Sequence, residues 1–121
     1  MDERQQARAS HQLDAVFGAL SHPDRRMMIE RLASGRSTVT QIADHFPASL
    51  NTVSRHLKVL ERAGLIERSV EGREHHLSLN LAHLMEAMQW SARQADFWHR
   101  RLDALEMAMA KRKKGPHGPT D

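Results

Sequence analysis

The chain has no cysteine among its 121 residues. That absence excludes a disulfide framework, thiolate metal sites and a cysteine nucleophile, and it suits a reducing compartment. No apolar run approaches the length of about 18 residues that a membrane-spanning helix needs. The opening Met1-Asp2-Glu3-Arg4-Gln5-Gln6 is polar and mixed in charge, unlike a secretory leader. The expected setting is therefore cytoplasmic, with no membrane partner. The sequence also lacks a glycine-rich phosphate loop, a His-Glu-x-x-His pair and a strand-borne serine elbow. Serine, histidine and aspartate are plentiful, but no spacing sets them out as a triad. Neither an enzyme nor a cofactor is expected.

Surplus charge is missing from most of the chain as well. Lys and Arg number 18 against 15 Asp and Glu, a formal net charge of +3. Four of those bases stand together at Lys111-Arg112-Lys113-Lys114, and residues 1–110 are neutral overall. Any affinity for a polyanion must therefore come from where individual charges stand.

Residues 49–60, Ser-Leu-Asn-Thr-Val-Ser-Arg-His-Leu-Lys-Val-Leu, carry the strongest local pattern. Ser49 is a good N-cap, and Val53, Leu57 and Leu60 recur at helical spacing as one apolar stripe. The opposite face holds Asn51, Thr52, Ser54, Arg55 and Lys58, which are donors and acceptors on short or extendable arms. Such a helix fits a DNA major groove; by itself it also fits an ordinary surface helix.

The neighbouring segments narrow the choice. Leu13, Val16, Phe17 and Leu20 predict a first helix, after a polar, flexible segment 1–12. Ser21-His22-Pro23-Asp24 reads as a stop and restart. A second helix then runs to about Ser34, burying Met27, Met28 or Ile29, and Leu32, and Gly35 ends it. Gln41–Phe46 predicts a brief helix broken by Pro47, so with the helix from Ser49 it forms a helix-turn-helix. Leu65–Val70 and His75–Leu79 read as strands joined at Glu71-Gly72-Arg73-Glu74. The expected fold is mainly α with a small β-hairpin wing, a winged helix-turn-helix over residues 13–110, followed by a basic, disordered tail at 111–121.

The last element is long. Leu81, Leu84, Met88, Ser91, Ala95, Trp98, Leu102, Leu105 and Met109 alternate in steps of three and four, the period of a helix packed along another helix. At about 1.5 Å per residue it spans nearly 45 Å, longer than so small a body can cover. Self-association is expected. Of the nine histidines, His75 and His76 share a strand and point to opposite faces, so they do not chelate together. For His56, support of its helix and contact with DNA stay open.

Four pieces together resemble the ArsR/SmtB-type winged-helix repressors. They are Ala19-Leu20-Ser21-His22-Pro23-Asp24-Arg25-Arg26, Val39-Thr40-Gln41-Ile42-Ala43, Ser54-Arg55-His56-Leu57-Lys58-Val59-Leu60 and Ala63-Gly64-Leu65-Ile66. The resemblance covers about residues 13–80. It implies a homodimer, a reading helix in each of two adjacent major grooves, and repression released by an inducer whose identity stays unknown. It also implies an interface made by the first and last helices: Leu13, Val16 and Phe17 with Leu84, Met88, Ala95, Trp98, Leu102, Leu105 and Met109. Metal-sensing founders of the family carry paired cysteines near Thr40–Asp44; here there are none. Their second site uses Asp and His on the last helix. His83, Glu86, Asp96 and His99 differ from that pattern in order and stand outside the apolar seam, so no metal ligands are assigned. Asp96–Leu105 is similar to a cysteine-free branch of the family, in which Phe97 and Trp98 either shape a ligand pocket or pack in the seam.

The expected partner is double-stranded DNA with an inverted-repeat operator. Asn51, Thr52, Ser54 and Arg55 face base edges or adjacent phosphates, with Arg55 the residue for guanine. Ser49 and His56 complete the set on that helix. Lys58 contacts phosphate, Thr40 and Gln41 clamp it from the preceding helix, and Arg73 reaches the backbone or minor groove from the wing. Two alternatives stand beside this reading: a metal- or small-molecule-responsive sensor of the same fold, and a winged-helix module that binds protein.

Overall fold

Helix formation starts earlier than the apolar pattern predicts. In the computed structural model, which describes residues 2–114, the Gln5 amide donates to the Asp2 carboxylate at 2.8 Å. The Asp2 amide in turn donates to the Gln5 side chain at 3.2 Å. This reciprocal cap starts α1 (Glu3–Ala19). The segment 1–12, expected to be flexible, is therefore helical from Glu3. Its side chains before Gln12 stay exposed, so capping and good helix formers rather than burial account for it.

Two arginines hold the end of α1. Arg25 donates from Nε to the Ala19 carbonyl at 2.6 Å and from Nη2 to Gly18 at 3.2 Å; Arg26 donates to Leu20 at 2.7 Å. Cations on orphan carbonyls at a helix C-terminus satisfy both hydrogen bonding and the helix dipole. Helix α2 (Pro23–Ala33) begins with His22 as N-cap and Pro23 at its first position. It buries Met28 and Leu32, while Met27 stays 52% exposed and Ile29 is half-buried.

Strand β1 (Ser37–Thr38) leads into α3 (Val39–Ala43), which Thr38 and Gln41 start with a second reciprocal cap. Helix α4 (Leu50–Arg62) follows, then β2 (Ile66–Glu71), β3 (Glu74–Leu79) and α5 (Ala82–Lys114). The sheet is antiparallel in the order β1-β3-β2, with Ser37 opposite Leu77 and Ile66 opposite Leu79. The wing therefore has a third, two-residue strand beyond the expected hairpin. Its turn is tighter than expected, with Gly72 at φ 64° supplying the positive angle of a two-residue hairpin loop.

Gly64 is constrained twice. Leu65 N–H reaches the Leu60 carbonyl and Gly64 N–H the Glu61 carbonyl, closing α4 as a Schellman motif. Its φ is +74°, and a Cβ there would come within 2.4 Å of the His83 ring. Gln12 also donates to the Ala63 carbonyl at 2.9 Å, tying α1 to the end of α4.

Val16, Met28, Ile42, Val53, Leu57, Leu60, Leu65 and Leu77 are fully buried in one core, with Leu13 and Leu84 packed partly against it. Residues up to Ala87 make one compact unit, and α5 from Met88 makes a second. In that second unit Phe97 meets Trp98 edge-to-face at 5.5 Å, and the Arg101 guanidinium lies 5.6 Å from the Phe97 ring centre. The helix continues through the basic run to Lys114, where a disordered tail was expected. The expected disorder of 115–121 lies outside the described residues. Among the described residues, no helix is long and apolar enough to cross a membrane.

Candidate nucleic-acid interface

Helix α4 separates its faces completely. Val53, Leu57 and Leu60 have no exposure, while Asn51, Arg55, Lys58 and Arg62 are exposed. Their steps of four, three and four set those four residues in one line along the helix. Arg62 was missed in the sequence, although its spacing from Lys58 carries the signal. The helix starts at Ser49, whose hydroxyl accepts from the Thr52 amide at 3.1 Å and lies 3.0 Å from the Thr52 hydroxyl. Ser49 is exposed, whereas Thr52 and Ser54 are half-buried on the flanks of the line.

His56 does not join the exposed line. It is half-buried toward α2, where its Nδ1 accepts from Arg25 Nη1 at 3.2 Å and its ring lies 4.4 Å from that of His22. Burial, then the neighbouring His22 and Arg25, lower its pKa from the ordinary 6.5. Its geometry is that of a support between α2 and α4, one of the two roles that the sequence leaves open for it.

A groove of about 450 Å³ runs between the start of α3 and the wing, lined by Thr38, Val39, Thr40, Arg68, Arg73, Glu74 and His75. It brings two expected residues, Thr40 and Arg73, to one surface. Gln41 is exposed beside it, with its side-chain carbonyl held by the Thr38 amide at 2.8 Å. Arg68 and His75 were missed. The strand pairing sets Arg68 opposite Leu77, and its guanidinium reaches back to Glu61 of α4 at 2.6 Å while also contacting His75 Nδ1. The predicted hairpin brings Arg68 beside Leu77 and His75, but no sequence signal gives its reach back to Glu61. On the other side, Arg36 donates to Glu71 at 2.9 Å. A second cavity of about 690 Å³ lies between α2, β1 and α3, with Arg31, Arg36, Gln41 and His45 over Met27 and Phe46.

The expected interface residues divide. Val16 has no exposure and belongs to the protomer's own core, so it has nothing to offer a partner; Leu13 and Leu84 are half-buried against that core. Phe17 is 40% exposed. In α5, Ala95 is exposed, and Met88, Trp98, Leu102, Leu105 and Met109 are each more than half exposed. Of the polar residues weighed as ligands on this helix, Asp96 pairs with Arg100, and His83 stands 3.7 Å from Glu86.

Residues 20–69 match a helix-turn-helix domain family. The transcriptional repressor SdpR of Bacillus subtilis is 35% identical over 78 residues, which is 64% of this chain and 87% of the repressor. The HTH-type transcriptional regulator Rv2034 of Mycobacterium tuberculosis is 43% identical over 53 residues, 44% of this chain and 50% of that protein. Among solved structures, an ArsR family transcriptional regulator superposes with a TM-score of 0.70 at 30% identity, covering 74% of this chain and 93% of that one. The homodimeric winged helix-turn-helix DNA-binding domain Mb0332 of Mycobacterium bovis shares the fold at a TM-score of 0.60 and 23% identity, over 97% of this chain and 94% of that one. With a buried-faced α4, a three-stranded wing and these relatives, the chain belongs to the ArsR family of winged helix-turn-helix transcriptional regulators.

Proposed function

We propose that this chain is a homodimeric repressor that reads an inverted-repeat operator with α4 of each protomer. One observation carries the reading: Asn51, Arg55, Lys58 and Arg62 line the exposed face of a helix whose other face is fixed in the core. Asn51 and Arg55 have the bidentate chemistry for adenine and guanine edges, and Ser54 and Thr52 flank them as short hydrogen-bonding arms. Lys58 and Arg62 neutralise phosphate. Thr40, Gln41 and Arg73 hold the backbone where it crosses between α3 and the wing, and Ser49 sets the start of the helix.

The second copy docks on the apolar stripe of α5, with Phe17 of α1 as a further exposed apolar contact. Support comes from the homodimeric state of the Mycobacterium bovis domain and the repressor role of the Bacillus subtilis relative. Two-fold symmetry then demands half-sites about one helical turn apart.

The test is to recover the fragments of its own genome that the protein retains, and to titrate them at several salt concentrations. Expected are an inverted repeat and an affinity that falls steeply with salt. Absence of any salt-sensitive DNA affinity would overturn the reading in favour of a protein-binding winged helix.

A further inference from the structure

His22 and Asp24, two residues apart at the start of α2, meet the distant His56 beside the middle of α4. One donor atom from each lies within 4.8 Å of the other two, and all three residues are half-buried. The two imidazole rings are 4.4 Å apart and tilted by 48°. Two donors on one first-row metal ion stand roughly 3–4 Å apart, given metal–ligand bonds near 2.0–2.2 Å. The cluster therefore needs about 1 Å of closing movement to share an ion. Two imidazoles and one carboxylate suit zinc, cobalt or nickel, whereas magnesium and calcium prefer oxygen alone.

Both imidazole lone pairs are engaged. The Asp24 amide donates to His22 Nδ1 at 3.0 Å, and Arg25 Nη1 lies 3.2 Å from His56 Nδ1. A guanidinium can only donate, so His56 accepts through Nδ1 and carries its proton on Nε2. An ion bound at Nδ1 takes that lone pair directly. An ion bound at Nε2 forces the proton onto Nδ1, which then no longer accepts. Neither route leaves the Arg25–His56 bond intact.

We propose that His22, Asp24 and His56 form a binding site for a divalent transition-metal ion, occupied in exchange for the Arg25–His56 hydrogen bond and, by the same argument at His22 Nδ1, for the bond from the Asp24 amide. Arg25 also holds the last carbonyls of α1, so the exchange alters how α4 is seated on the α1–α2 corner. Asn51, Arg55 and Lys58 ride on α4, which links occupancy to operator reading. That consequence rests on the DNA role proposed above; the site itself does not.

Cobalt(II) alone, titrated into the full chain without DNA, separates the two. Visible d–d absorption and calorimetry should show one ion per protomer, displaced by zinc. His56→Gln, or His22→Asn, which keeps a good N-cap, should each weaken cobalt binding by more than about tenfold. His75→Gln with His76→Gln should leave it unchanged. Arg25→Gln should tighten it, because a competing donor and a repelling charge are gone. Circular dichroism checks each fold, and His22→Asn decides if His56→Gln unfolds. Undiminished cobalt affinity in His22→Asn and His56→Gln would overturn the site. An affinity untouched by Arg25→Gln would overturn the exchange.

Discussion

Helix α4 and the distal half of α5 carry the same apolar rhythm and meet opposite fates. In α4 the stripe Val53, Leu57 and Leu60 is sealed completely by the rest of the protomer. In α5 the stripe from Met88 to Met109 leaves Leu102 54% and Leu105 58% exposed. Periodicity therefore shows that a helix has a dry face; it does not show which chain covers it. The difference also divides the labour. A face sealed from within fixes α4 as a rigid support for its outer side chains, whereas an open stripe is available to a second copy.

The comparison breaks most sharply at Leu102 and Leu105. Replacing both with Glu should turn a dimer into a monomer in sedimentation at micromolar concentration. Operator affinity should fall by about a hundredfold or more, because a lone reading helix loses the gain from tethering two half-sites. The cooperative unfolding of residues 2–87 should survive. A double variant that still sediments as a dimer would assign the open stripe to another role.

Leu57→Ala asks the complementary question about the sealed face. It should cost about 2–5 kcal/mol through lost transfer energy and an unfilled cavity. That loss should be the same at every protein concentration, since Leu57 contacts only its own protomer's core. Leu105→Ala should instead lower the melting temperature by an amount that changes with concentration. If both losses responded alike to concentration, the two stripes would not differ in what covers them.

The outer face of α4 supplies the next, smaller effect. Arg55→Ala should cost about 1–3 kcal/mol on the operator and relax preference at one base position. Lys58→Ala should weaken all sequences evenly and lower the salt slope by about one. Equal losses on operator and random DNA for Arg55→Ala would move that residue from base to backbone.

What the sequence made legible follows the same division between local and distant causes. The stripe of α4, its Ser49 cap and its Gly64 end are local signals, and each was readable. The α1 start was readable in principle, since Asp2 and Gln5 have capping-box spacing, but a polar exposed segment gives no apolar period to notice. The pairing of Ser37–Thr38 with β3, the reach of Arg68 to Glu61 and the meeting of His22 with His56 are different in kind. The first and last depend on where the chain returns after tens of residues, which no window of sequence contains, and the Arg68–Glu61 reach, only seven residues long, depends on how the strand folds back on α4. Val16 shows a related limit: its spacing marks a buried face, and only the fold shows that the burial is internal. Arg25 and Arg26 belonged to a resembling motif without an evident task, and the fold supplies one at the end of α1.

The wing is fixed to α4 by a partly buried ion pair. Arg68 meets Glu61 at 2.6, 3.2 and 3.3 Å, with side chains 24% and 28% exposed. Exposed pairs contribute at most about 1 kcal/mol, and partial burial with several hydrogen bonds places this one near that upper end. Glu61→Gln should therefore cost about 1 kcal/mol of stability. Its effect on DNA should be indirect, because Glu61 itself bears the wrong charge for phosphate. If the pair aims the wing, Arg73→Ala should weaken operator binding in the native background and much less in Glu61→Gln, where Arg73 is already misplaced. That non-additivity is the signature of two residues acting through one element. Equal costs of Arg73→Ala in both backgrounds would mean that the β2–β3 ladder alone sets the wing, leaving the ion pair a contribution to stability only.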